Sequence, residues 1–449
     1  MIIKNCNIIT WGNPNQIIEN KCILIKNGII AKIDNAETLI FENPTEPVVD
    51  ARNQYILPSN ICAHTHFYGA YSRGLYIPGS PPKDFPQILN KLWWPLDKSL
   101  NRDAIKYSAL VCFIDAIKHG TTTLFDHHAS QNQISDSLDI IDEAAEMAGV
   151  RVALCYELTD RDGKRKTDEG AQENIRYISK VKNSNKKNKR AAFFGLHASL
   201  TLSPASLELA RKLTPSGFGF HIHVAEHSID EYDSLEKYQM RVVERLDKHH
   251  LLGEDTIVIH GVHLDAKEIQ ILAKTKTWVS HQPRSNMNNG VGMADIESMD
   301  HSGIRVCLGN DGFSNAMWEE WKAVYLAHKL WHRDPQKMSG NLVKKMAIDN
   351  NSALASRFFK AKIGRVEPGY CADLIFVDFH PFTPMTVDNI PWHIIFGFHE
   401  SLITSTMVDG EFLMKDRVMT TLDEISITRE AIKLAPRIWN NYRKMKRLE

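Results

Sequence analysis

Two histidines stand one residue apart at the end of an apolar run, Ile61-Cys62-Ala63-His64-Thr65-His66. In a strand, residues i and i+2 share a face, so His64 and His66 project side by side. Two imidazoles fixed on rigid backbone suit one divalent ion. The same run also reads as a strand end with one histidine hydrogen-bonded in the core. Further along, successive apolar runs end in His197, in His221 and His223 followed by Glu226, in His260 with His263 just after, in His281, and in Asp311. Singly these have ordinary explanations: a core histidine, a helix cap at Asp311, a surface Glu226. Together, at the same end of successive runs, they point to a metal-dependent hydrolase.

That chemistry needs three or four protein ligands and one open position for water. His64, His66, His223 and Asp311 supply three imidazoles and a carboxylate. His221 shares a face with His223, but His223 is nearer the end of its run and three residues from Glu226, so the metal is assigned to His223. A bound ion lowers the pKa of its water toward about 7. Asp311 can take the water's proton, Glu226 can protonate a leaving nitrogen, and His260 can hydrogen-bond the attacking or developing oxygen. No lysine ends the run at His197, so a carbamylated bridging lysine is not expected and the site is read as mononuclear.

Strands and helices must position these residues. Eight apolar runs, beginning at 55–63 and ending at 305–308, alternate with helical patterns. Ser203 before Pro204 and Asp265 before Ala266 read as helix caps, and Gly120 and Gly149 as helix stops. Eight such repeats predict a (β/α)8 barrel, whose active sites lie at the C-terminal ends of the strands. The first connection is long. Its excursion, 69–100, carries Pro81-Pro82 and Trp93-Trp94, aromatics that either contact a flat substrate or pack the loop on the barrel. Residues 1–57 are short strands with a hairpin signal at Asn27-Gly28, and strands return after Gly364, with a turn at Asp409-Gly410 and a final helix near 427–446. The expected fold is therefore α/β: a distorted TIM barrel (58–361) beside a small β-sandwich domain assembled from both ends (1–57 and 362–449).

Lys+Arg and Asp+Glu balance at 54 each. Such neutrality offers nothing to nucleic acid or an anionic membrane surface. The basic run 182–190 (KNSNKKNKR) reads as a solvated helix end before a strand. Seven scattered cysteines without a CxxC pair suggest free thiols in a reducing compartment, and no run reaches the length of a membrane span. A cytoplasmic protein with a small-molecule partner is expected.

The stretches LPSNICAHTHFYGAYSRG, GTTTLFDHH, FHIHVAE, IHGVHLD, HQPRSNMNNGVG and LGNDG, in this order, resemble the amidohydrolase superfamily in its aminohydrolase and deaminase branch. PPKDFPQILNKLWWPLDKSL and GLHASLTLS resemble the SsnA-type aminohydrolases associated with selenium metabolism. The resemblance implies the same ligand set, Glu226 and His260 as proton-transfer and oxyanion residues, and His197 as a substrate contact. Trp94 and Arg73, from the excursion, complete the expected substrate contacts. Asn310 departs from the family's usual Thr before the ligand Asp. The implied activity is deamination of an amino-substituted, purine- or pyrimidine-like heterocycle, with one zinc ion, iron being the alternative metal, and a homodimer as the assembly. Cyclic-amide hydrolysis and a catalytically silent scaffold are the rival readings.

Overall fold

The computed structural model describes residues 1–446. Its centre is a ring of eight parallel strands. They are Asn60–Thr65, Thr121–His128, Arg151–Tyr156, a fourth in two pieces (Arg190–Ala192 and Phe194–Ala198), Phe220–Val224, Ile257–His260, Trp278–His281 and Val306–Leu308. Every residue of these strands is buried, as expected where helices cover a parallel sheet. The fourth strand breaks at Phe193. Its first piece pairs with strand three and its second with strand five, so the ladder is written as sheets of four and five strands. An isolated parallel bridge, Leu158 to Leu196, spans the break. On the other side, the backbone N–H groups of Asn310 and Asp311 donate to His64 O at 2.9 and 3.1 Å, tying strand eight to strand one.

Strand one departs from simple alternation in a way that serves the site. Its expected run, 55–63, is two strands. Tyr55–Pro58 pairs antiparallel with Leu374–Val377 in the end sheet, and Asn60–Thr65 enters the barrel. Within the barrel the register slips between Cys62 and Thr65. Below the bulge, Ile61 and Ala63 pack inside the barrel with Phe125, Ala153, Ile257 and Trp278, while Cys62 joins the outer layer. Above it, His64 turns to the inner side. The bulge re-aims the histidine pair onto the barrel axis, a common use of this irregularity beside active sites.

The two chain ends form one nine-stranded sheet, with Tyr55–Pro58 lying between Leu374–Val377 and Ile2–Ile9. The buried guanidinium of Arg151, on barrel strand three, donates to Asp373 through Nε and Nη2 and pairs with Asp409, fastening the sheet to the barrel. The helical pattern read across 234–248 is two helices, Ser228–Tyr238 and Val242–Lys248, because Gln239 turns left-handed at φ 58°. A short helix, Ala36–Glu42, was not foreseen. The excursion folds into single turns, Phe67–Ser72, Phe85–Ile88, Leu89–Trp93 and Trp94–Asp97, laid across the mouth of the barrel. The basic run is a helix end and loop as expected, but its last residue, Arg190, is buried and paired with Asp142 and Glu146.

Candidate metal centre

His64, His66, His223 and Asp311 converge at the C-terminal mouth. Asp311 Oδ1 lies 3.0 Å from His64 Nε2 and 3.0 Å from His66 Nε2, and His66 Nε2 lies 3.2 Å from His223 Nε2. Tetrahedral ligands at 2.0–2.1 Å from one zinc ion stand about 3.4 Å apart, so this is the spacing of a single coordination shell. The remaining ring nitrogens decide the tautomers. His66 Nδ1 donates to His127 O at 2.6 Å and His223 Nδ1 donates to His197 O at 3.0 Å. His64 Nδ1 lies 2.9 Å from His221 Nε2 and donates to it. Each imidazole is therefore placed to offer an Nε2 lone pair to an ion bound at the carboxylate, with the other nitrogen held by a hydrogen-bond partner, the usual arrangement of metal-binding histidines.

Four lone-pair atoms this close repel one another unless a positive charge lies between them. Without an ion, protons shared between the imidazoles and Asp311 supply that charge. Burial holds His64 down at about 3 and His223 well below the ordinary imidazole value. Burial also acts to lower His66, yet hydrogen bonding and charge from Asp311 outweigh it and lift that group to about 9. Asp311 is itself held well below the usual carboxylate range despite its burial, by its bonds to His64 and His66. The donor set thus fits one divalent ion.

His260 and Glu226 stand beside this cluster. His260 Nδ1 donates to Asn286 Oδ1 at 2.9 Å, which leaves Nε2 as an acceptor. That atom is buried without a hydrogen-bond partner, 3.3 Å from Glu226 Oε2 and 3.9 Å from Asp311 Oδ2. Glu226 Oε1 accepts from Asn289 Nδ2 at 3.2 Å. Burial first, and then the nearby Asp311 charge, push Glu226 well above the usual carboxylate value, which favours the protonated form that a proton donor needs. The backbone here is unusual: His260 and Asp311 adopt φ of 71° and 55°, a left-handed conformation that costs about 1–3 kcal/mol per residue and clusters at functional sites. The loop after strand eight explains its own sequence. A Cβ on Gly309 would stand 2.7 Å from His64 N, and the Asn310 side chain ties the turn by bonding Asn315 Oδ1 and Ser314 O.

The cleft above the centre encloses about 710 Å³, counted out to its open mouth. Phe85, Leu89, Trp93, Trp94 and Leu200 form one side of it. Trp94 stands with its ring centroid 6.5 Å from that of His197. Trp93 packs on Tyr68, so the two tryptophans both line the cleft and anchor the excursion. His197 lines the cleft as well. Arg73 does not: it is exposed at the end of the first turn of the excursion. His281 points away from the cleft, its Nε2 3.1 Å from His328 Nε2. His221 lies behind His64, which separates it from His223 as the sequence reading did.

Two residues of the site escaped the sequence reading. His127 accepts from His66 through its carbonyl, and its Nδ1 bonds Glu157 Oε2 at 3.2 Å. Glu157 is buried on the cleft wall just past strand three. A signal existed: strands two and three, like the others, end in titratable residues.

The Amidohydrolase family profile matches residues 55–413. The chain is 32% identical over 452 residues to a protein named 5'-deoxyadenosine deaminase from Methanobrevibacter smithii, covering 96% of this chain and 97% of that one. It is 31% identical to a protein named 5-methylthioadenosine/S-adenosylhomocysteine deaminase from Thermococcus sibiricus, covering 92% and 94%. These names make no reference to selenium. Among solved structures, a zinc-bound adenosine deaminase from Xanthomonas campestris shares the fold at TM-score 0.83 and 19% identity, with 97% of this chain and 98% of that one covered.

Proposed function

The chain belongs to the amidohydrolase family, and we propose that it is a metal-dependent aminohydrolase that deaminates an amino-substituted purine- or pyrimidine-like heterocycle. The observation that carries the proposal is the buried Glu226 carboxyl group set beside four converging candidate ligand atoms, with the unpartnered Nε2 of His260 3.3 Å from it. The curated relatives named as nucleoside deaminases support it.

His64, His66, His223 and Asp311 are the proposed ligands of one divalent ion, zinc by preference and iron as the alternative. When bound, such an ion polarises water and lowers its pKa toward about 7. His260 Nε2 accepts a hydrogen bond from the attacking water and orients it. Asp311 takes the proton that the water loses as its oxygen bonds to the ring carbon. Glu226 delivers its proton to the ring nitrogen, which receives the displaced electron pair. Proton return through the same carboxyl group then converts the amino group into ammonia as the carbon–nitrogen bond breaks. The amine, a poor leaving group, needs this acid. Water and the amino heterocycle enter; the oxo heterocycle and ammonia leave.

The barrel (58–361) carries the reaction, and the two end segments (1–57 and 362–449) are proposed as the second domain. Seven free cysteines, six of them buried, suit the cytoplasm. No described helix is long and apolar enough to cross a membrane. A homodimer is proposed as the assembly, to be checked by light scattering. The function is tested by screening metal-loaded protein for ammonia release from aminopurines, aminopyrimidines and their nucleosides. Release by wild type that disappears on metal removal is expected. No release across the set would overturn the proposal.

A further inference from the structure

Glu157 has no part in the reaction above, yet it is a buried carboxylate on the cleft wall, 3% exposed. Its Oε2 is occupied: His127 Nδ1 lies 3.2 Å from it, and the other ring nitrogen of His127 lies 3.0 Å from His221 O. Oε1 is not. His197 Nε2 stands 3.8 Å from it, beyond hydrogen-bond reach. The state of His197 follows from its other nitrogen. Thr201 donates its hydroxyl proton to Ala198 O at 3.1 Å, so its oxygen accepts from His197 Nδ1 at 2.7 Å. His197 Nε2 is then a bare lone pair. Two acceptors thus face each other across a gap that holds no donor.

The charge of the cleft points the same way. Among the described residues no lysine or arginine lines it, whereas the carboxylates of Glu157, Asp230 and Asp311 do. Asp230 is spent on the backbone N–H groups of Leu200 and Ala225. Arg161, the cation behind this wall, pairs with Asp97 and lies against the outer side of Trp94, 5.2 Å from its ring centroid. The Glu157 carboxylate is also near the reacting end: one of its oxygens and ring nitrogens of His197 and His223 all lie within 4.8 Å of one another. One heterocycle spans that distance.

We propose that Glu157 and His197 form an acceptor pair that selects heterocycles carrying a second donor, an exocyclic amino group or a ring N–H, on the edge away from the reacting carbon, and that the cleft turns away anionic forms of the same molecules. The inference rests on the deaminase reading for its choice of ring. The donor fills the gap between two buried acceptors, and a ligand without it leaves both unpaired, a loss worth about ten- to a hundred-fold in affinity when one acceptor is charged.

The test compares adenosine with 2,6-diaminopurine riboside, which differ by one amino group, and with adenosine 5'-monophosphate. Binding is read from the fluorescence of Trp93 and Trp94, alongside ammonia release. For wild type, at least about tenfold tighter binding of the diamino compound is expected, and at least about tenfold weaker binding of the monophosphate than of adenosine. Glu157→Gln, which offers an amide N–H where the oxygen was, should abolish the diamino preference without lowering the melting temperature. Glu157→Asp, which keeps the charge but draws it back, should give an intermediate ratio. Equal binding of the two nucleosides by wild type, binding of neither, or a preference that survives in Glu157→Gln overturns the proposal, and the first two need no variant. A preference that follows Glu157 while neither compound releases ammonia sinks the deaminase reading and leaves the acceptor pair standing.

Discussion

Replacing Glu226 with glutamine removes one proton and leaves the shape of the site intact. In the wild type, Oε1 accepts from Asn289 Nδ2 at 3.2 Å and Oε2 faces the bare Nε2 of His260 at 3.3 Å. A glutamine amide meets both demands: its oxygen accepts from Asn289 and its N–H₂ donates to His260. The fold and the donor atoms around Asp311 should therefore be unchanged, and the metal retained. The variant cannot protonate ring nitrogen or amine. A positioned acid of this kind is worth roughly 10²–10⁴ in rate, equivalent to about 3–5 kcal/mol at 1.36 kcal/mol per decade. Steady-state ammonia release on metal-quantified protein should show kcat reduced by that factor, with KM and metal content close to wild type. A Glu226→Gln enzyme within about tenfold of wild-type kcat, metal in place, would refute the acid assignment and the proton path built on it.

Three further outcomes follow from the packing. His328 is 2% exposed and burial, with repulsion from His332, holds it down at about 4, whereas the unfolded chain binds its proton near 6.5. Between those values the unfolded state carries the extra proton, so stability falls as pH drops from about 6.5 to 4, by up to about 3 kcal/mol; His328→Gln should flatten denaturant midpoints across that window. Arg151 is fully buried between Asp373 and Asp409, and Asp409 also pairs with Lys189, so Arg151→Met should leave the buried Asp373 without its cation and cost about 3–5 kcal/mol, read as a lowered melting temperature. Gly309→Ala puts a methyl group 2.7 Å from His64 N, and should cost about 1–3 kcal/mol and reduce bound metal by shifting the first ligand.

The convergence of the proposed ligand residues was legible because its signals are local. His64 and His66 follow the period of a strand, and His223, His260 and Asp311 each end an apolar run. The choice between His221 and His223 also came from position along one strand. What the sequence hid depends on contacts between distant segments. The bulge between Cys62 and Thr65 arises from pairing with strand two, and no residue type marks it. Tyr55–Pro58 reads as continuous with the barrel strand because both are apolar, yet its partner lies more than 300 residues away at Leu374–Val377. His127 and Glu157 belong to no spacing motif; each matters because strands two and three bring them under His66 and beside His197. Arg73, expected among the substrate contacts, is exposed at the end of the turn Phe67–Ser72.

The central claim is that His64, His66, His223 and Asp311 hold one divalent ion on which the hydrolysis depends. The direct measurement is elemental analysis of the purified protein and of Asp311→Asn, paired with ammonia release before and after chelation. The account predicts about one zinc or iron per wild-type chain, lost together with activity on chelation, restored together on reloading, and largely missing from the variant. Ammonia release that persists in protein free of metal would contradict it.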